Sequence, residues 1–168
     1  LSGVTDILGA DIPEAAEAAG NMIKSGLAAN AEQAFDTIVK GYQAGADRSG
    51  DFLDTLREYS SMFQSLGLDG PAAIGLVTQA MEAGARSSDL AADGLKEFSI
   101  RAQDMSATSV AAFKAVGLDA EDMASRIAKG GPAAREALGM TLDALRAIED
   151  PIARNAAGVA LFGTQWED

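Results

Sequence analysis

The feature that most constrains this chain is that part of it occurs twice. The stretch AGADRSGDFLDTLREYS, residues 44–60, returns 39 positions downstream as AGARSSDLAADGLKEFS, residues 83–99. The shift lays Ala44, Gly45 and Ala46 on Ala83, Gly84 and Ala85. It also lays Asp54, Leu56, Arg57, Glu58, Tyr59 and Ser60 on Asp93, Leu95, Lys96, Glu97, Phe98 and Ser99. Ile38 falls on Val77 and Tyr42 on Met81, so apolar character is kept ahead of the shared Ala-Gly-Ala. Each copy reads as helix, small-residue turn, helix. A module of that size cannot bury its apolar face alone and has to stack on a neighbour. Two copies fall short of the three usual in a solenoid, so a helical domain enlarged by one duplication stands as the companion reading.

The rest of the chain is punctuated in the same way. Pro13 and Glu14 after Asp11 mark a helix start. Phe35, Ile38, Val39 and Tyr42 then form one face of a helix that Gly45 ends. Phe52, Leu56, Tyr59 and Phe63 recur at buried-stripe spacing, with Arg57 and Glu58 turned outward. In Leu66-Gly67-Leu68-Asp69-Gly70-Pro71, Gly67 suits a left-handed cap, Leu68 can fold back, and Asp69 can cap the next helix through Ile74, Val77 and Met81. The second copy supplies Leu95 and Phe98, with Ile100 nearby. The run from Phe63 to Asp69 recurs from Phe113 to Asp119, now at an offset of 50, which implies an insertion over residues 103–113 that a short helix from Ser109 would fill. Asp119, Glu121 and Asp122 place acidic groups where a helix dipole favours them. That helix turns Met123 and Ile127 inward. Gly130-Gly131-Pro132 breaks the chain before a longer helix carrying Leu138, Leu142, Leu145 and Ile148. Asp150-Pro151 opens a last helix through Ile152, Val159 and Phe162, and Gly163 stops it. No segment alternates as a strand does. The expected fold class is all-α, a compact array of about eight to ten short helices with a duplicated helix-turn-helix unit. Residues 1–46 read as an Ala-rich helical segment and 47–168 as a helical repeat-like domain.

Composition removes several functions. The 168 residues include no cysteine and no histidine, so thiolate metal sites, disulfides and the commonest acid–base side chain are all missing. A net charge of −12 opposes direct binding of phosphate backbones. The longest uncharged stretches, residues 70–81 and 155–166, contain 12 residues each, well short of the roughly 20 a membrane span needs. The chain opens on Leu1 and stops at Asp168 without a terminating signal, as expected of a piece of something longer.

Paired acids occur at Glu121/Asp122, Glu149/Asp150 and Glu167/Asp168. Two carboxylates a few ångströms apart could serve a glycosidase, but two of these pairs stand at helix starts, and sequence neighbours on a helix point apart. They read as caps and solvated surface. The glycines follow no strand and precede no Lys-Ser/Thr, so they punctuate turns and do not cradle phosphate. Calcium-loop spacing is missing. Trp166 can be read as a partner anchor or as a core residue. The Leu56/Tyr59 and Leu95/Phe98 stripes read as core, with a helix-binding groove as the other possibility. No catalytic, cofactor-binding or metal residue is assigned, no cofactor is expected, and the residues alone point to a structural or interaction role.

An ordered set of segments takes the reading further. It runs Asp93-Gly94-Leu95-Lys96-Glu97-Phe98, Phe113-Lys114-Ala115-Val116-Gly117-Leu118, Gly130-Gly131-Pro132 and Leu142-Asp143-Ala144-Leu145. It ends with Asp150-Pro151-Ile152-Ala153-Arg154-Asn155 leading into Leu161-Phe162-Gly163-Thr164-Gln165. Across residues 51–168 this set resembles the central region of tail tape measure proteins of long-tailed phages and prophages. The resemblance implies a structural, non-enzymatic virion component that sits in the tail lumen, acts in tail assembly and tail-length determination, and leaves before or with DNA. Implied partners are the tail tube protein, other tail tip proteins, assembly chaperones and further copies of the same chain, with assembly in the host cytoplasm. The segment is broken by Gly and Pro too often for a long coiled coil. It reads as a globular helical portion, and length scaling at about 1.5 Å per helical residue belongs to other segments. The acidity suits a lumen that DNA must leave without sticking. Two other readings accompany this one. A helical adaptor would be monomeric and bind a peptide, whereas a membrane-active or peptidoglycan-associated segment would draw on the mildly apolar composition (mean hydropathy +0.05).

Overall fold

Residues 12–166 are described by a computed structural model. Among them the chain forms nine α-helices and no strand. They are α1 (Ile12–Ser25), α2 (Ala31–Gln43), α3 (Phe52–Ser65), α4 (Gly70–Glu82), α5 (Ser88–Arg101), α6 (Ala107–Ala115), α7 (Ala120–Lys129), α8 (Gly131–Arg146) and α9 (Pro151–Phe162). A 3₁₀ turn, Thr164–Trp166, follows. The all-α expectation holds, and the number of helices falls within the expected range. Asp11 lies outside the described residues, but Pro13 sits in the first turn of α1 as expected.

The duplication is visible in hydrogen bonds. Asn30 caps α2 by accepting from the Gln33 amide, and Asp69 caps α4 by accepting from the Ala72 amide. Both helices run 13 residues, and both unwind through the same three bonds. The Ala44, Gly45 and Ala46 amides donate to the carbonyls of Lys40, Tyr42 and Gly41. Those of Ala83, Gly84 and Ala85 donate to Gln79, Met81 and Ala80. Gly45 and Gly84 supply positive φ, +87° and +118°, which a Cβ would oppose. The copies diverge after this turn. α5 begins at Ser88, not at the Ala91 that the 39-residue shift would give. Two differences accompany the earlier start: Ser87 stands where the first copy has Arg48 and its hydroxyl accepts from the Leu90 amide, a cap that arginine cannot make, and Asp89 stands where the first copy has Gly50, whose φ is +79°.

The second recurrence is equally literal. The Leu68 amide donates to the Phe63 carbonyl at 3.1 Å, and the Leu118 amide to that of Phe113 at 2.9 Å. Gly67 and Gly117 have φ of +72° and +79°. Asp119 caps α7 by accepting from the Asp122 amide, as Asp69 caps α4. The inserted helix α6 starts two residues ahead of the expected Ser109, because Ser106 takes the N-cap and accepts from the Ser109 amide at 3.1 Å.

The chain divides into two compact units. Among the described residues, the first holds 12–64 and 68–92, and the second 65–67 and 93–166. In the first, α1 packs on α2 and α2 on α4, and Met22, Ile38, Phe52, Leu56 and Phe63 are fully buried. Two faces lie somewhat differently from the expected stripes. On α2 the buried line is Ala34, Thr37, Ile38 and Gly41, with Phe35, Val39 and Tyr42 half-buried beside it. The small residues let neighbouring chain approach, and the large ones cover the flank. On α3, Tyr59 is half-buried and Ser60 takes the interior place, its hydroxyl donating to the Leu56 carbonyl. In the second unit α7 packs on α8, α8 on α9, and α6 on both α7 and α9. Its core contains Leu66, Phe98, Phe113, Met123, Leu138, Leu145 and Leu161. Leu142 and Ile148 are half-buried, while Ile152 is 80% exposed. Ile152 lies in the first turn of α9, ahead of the buried stretch from Ala157 to Phe162.

Candidate functional site

The acidic pairs take structural roles. Asp122 donates its amide to the Asp119 cap and pairs with Arg126 at 3.0 Å, and Arg126 also reaches Glu136 at 3.1 Å. Asp150 caps α9 through the Ile152 amide. Glu167 and Asp168 lie outside the described residues. Among the described residues no group of three or more His, Cys, Asp and Glu could hold a metal ion, and no helix is long and apolar enough to cross a membrane. Leu56, Leu95 and Phe98 are buried and Tyr59 is half-buried, so the second stripe and the Leu56 end of the first serve as core. Trp166 packs on its own chain, half-buried, 5.4 Å from the Phe162 ring and directly over Gly158.

The densest polar constellation joins the two copies of the repeat, in the first unit. Asp51, just before α3, accepts through one carboxylate oxygen from the Ser49 hydroxyl and, at 2.7 Å, from the Ser88 hydroxyl. Its other oxygen accepts from the Asp89 amide at 3.0 Å. The Ser88 and Thr55 hydroxyls lie 3.0 Å apart, Thr55 also reaches the Asp51 carbonyl, and the Ser88 amide donates to the Ser49 hydroxyl. Ser88 and Thr55 are 0% and 1% exposed. A carboxylate at the start of one helix thus accepts from a first-turn amide of another, where the dipole favours negative charge. Ser49 and Ser88 are equivalent positions of the repeat, so the duplication is what brings two serines to one acid. The sequence displayed Ser49, Asp51 and Ser88, but a Ser- and Asp-rich turn reads the same whether its side chains bond locally or across 37 residues.

The electrostatics follow from this wiring. Burial raises the Asp51 carboxyl, but the Ser49 and Ser88 hydroxyls and the Asp89 and Ser88 amides outweigh it and hold the group below its ordinary 3.8. Burial pushes Asp47 up beyond what its bond from the Phe52 amide restores, and the Asp51 charge adds to the rise. Tyr42 is pushed up to about 12, by burial first and then by Asp47 and Glu14. For Asp51 the folded value lies below the unfolded one, so its stabilisation is complete above pH 3.8 and is lost as pH falls through the folded value. Asp51→Asn should therefore lower stability at neutral pH, and the gap from the parent chain should close in acid. Urea denaturation at about pH 7 and about pH 2 measures both. A gap of equal size at the two would dissociate the carboxylate from the effect.

This is a structural junction. The Asp51 carboxylate accepts from Ser49, Ser88 and the Asp89 amide and so ties the start of α3 to the start of α5.

The comparisons with known proteins agree with the ordered segments. A family model described as phage-related minor tail protein matches residues 4–163. A protein of Streptomyces phage phiC31, described as "Probable tape measure protein", is 47% identical over 165 residues, which is 98% of this chain and 23% of the relative. The chain thus spans about a quarter of the length of the curated relative it matches. No solved structure matches it. With nearly its whole length matched in this way, the chain belongs to the phage-related minor tail protein family.

Proposed function

We propose that this segment is a non-catalytic helical portion of a tail tape measure protein, placed in the tail lumen and acting in tail assembly. The observation that carries this reading is the 47% identity to a tape measure protein along 98% of the chain. The protein it belongs to sets tail length, and this segment serves as a folded module of it while other segments measure. Helix length supports the division of labour. The longest described helix has 16 residues, about 24 Å at 1.5 Å per residue, and Gly and Pro interrupt the chain on either side of it. Partners are the tail tube protein, tail tip proteins, assembly chaperones and other copies of the chain. A net charge of −12 disfavours direct contact with nucleic acid and favours clean passage of DNA during ejection.

Duplicating the segment in frame in the encoding phage tests the module against the ruler. If these 168 residues measured as continuous helix, tails would lengthen by about 250 Å. The expected result in electron micrographs is lengthening of far less than that, with deletion of the segment blocking tail assembly. A full increment of about 250 Å would assign the segment to the ruler itself.

A further inference from the structure

Helix α5 belongs to both compact units: residues 88–92 lie in the first and residues 93–101 in the second. Each end is fastened inside its own unit by different chemistry. At the N-terminus the Asp51 carboxylate accepts from Asp89 and Ser88, with Thr55 and Ser49 completing the cluster. In the C-terminal half the Phe98 ring stacks on Phe162, with centroids 4.8 Å apart, and Phe162 in turn meets Trp166. The Arg101 guanidinium donates to the Val159 and Ala160 carbonyls, both at 3.3 Å, and to Glu97. Val159 and Ala160 lie in the last turn of α9, where the helix dipole favours a cation, and the Arg101 guanidinium joins the Gly163 amide on the Val159 carbonyl. Between the two fastenings lies Gly94, two residues past the division, the residue type that, after proline, holds a helix least well.

From this placement we propose that the chain opens as two separately cooperative units that part within α5 at Asp93-Gly94. The polar Asp51–Ser88–Asp89 clasp closes the first, and the Phe98–Phe162 stack with the Arg101 clamp closes the second. Loss of either clasp frays α5 from that end only and leaves the other unit shut.

Native-state hydrogen exchange on the 168-residue chain tests it. Asp51→Asn, with Ser88→Ala as the milder variant if the first folds poorly, should speed exchange in α4 and the first turn of α5 by roughly tenfold or more, the scale set by hydrogen bonds to a charged group. The amides of α7 to α9 and the Trp166 fluorescence should stay at parent values. Arg101→Met, or Phe162→Leu, should do the reverse: faster exchange in α9 and a shifted Trp166 emission, with α2 and α4 unchanged. Equal acceleration in both regions under either substitution would show one cooperative unit and overturn the proposal. No acceleration anywhere in the fastened region under either pair of variants would overturn it too, by showing that the clasps hold nothing.

Discussion

Replacing Gly67 with alanine is expected to destabilise the second unit by about 2–5 kcal/mol, the sum of a left-handed backbone term and an overpacking term. Its φ is +72°, where a Cβ crowds the following carbonyl. A Cβ there would also stand 2.0 Å from the Gly131 carbonyl oxygen and 2.5 Å from its carbon. Those atoms belong to backbone at the start of α8, beside Pro132, and cannot swing aside as a side-chain tip would. The chain contains its own control. Gly117 occupies the same turn with φ +79°, yet its Cβ would meet nothing within 4 Å. Gly117→Ala should therefore show the backbone term alone, about 1–2 kcal/mol. Denaturant midpoints of the two variants give the difference directly. Equal losses would mean that the α8 backbone yields, and that the close approach to Gly131 contributes nothing.

The pair Gly67 and Gly117 also shows where the sequence was legible and where it was not. Caps and turns depend on residues within about five positions, so Asp69, Asp119 and Asp150, and the glycines that follow helix ends, can be read from spacing alone. The identical unwinding after α2 and α4 was legible for the same reason. What lies opposite a turn is set by distant chain, and nothing near Gly67 announces Gly131. The placement of Ile152 and the inward rotation of α2 failed likewise. Periodicity gives a helix an apolar side, but its neighbour decides which of Ala34, Thr37, Gly41 or Phe35, Val39, Tyr42 lies deepest. The junction around Asp51 was hidden for a further reason. Its residues look like ordinary turn formers, and only the fold reveals that Ser88 and Asp89 donate to an acid from the other copy. The family was more legible than the junction, since an ordered set of segments survives ignorance of their packing.

The contact between Gly41 and Phe52 yields the second large effect and reverses an ordinary rule. In an exposed helix, Gly→Ala gains about 1 kcal/mol. Gly139 of α8 and Gly20 of α1 meet that condition, since a Cβ at either touches nothing within 4 Å. At Gly41 of α2 a Cβ would lie 2.3 Å and 2.5 Å from two atoms of the Phe52 ring. That ring is fully buried and stands edge-on to Tyr42 with centroids 5.5 Å apart. Without an empty place to move into, it has to leave its rotamer. Gly41→Ala is therefore expected to cost about 1–3 kcal/mol, while Gly139→Ala stabilises. Phe52→Ala, which empties the site, should cost about 3–5 kcal/mol. Combining Gly41→Ala with Phe52→Leu should cost less than the two single changes added together, by about 0.5–3 kcal/mol, because the smaller side chain leaves room for the new methyl. Additive losses in that cycle would mean that the ring does not rest on the glycine. The small buried residues of α2 would then reflect only helix propensity. Coupling would instead show that α2 keeps its glycine to seat the aromatic that opens α3.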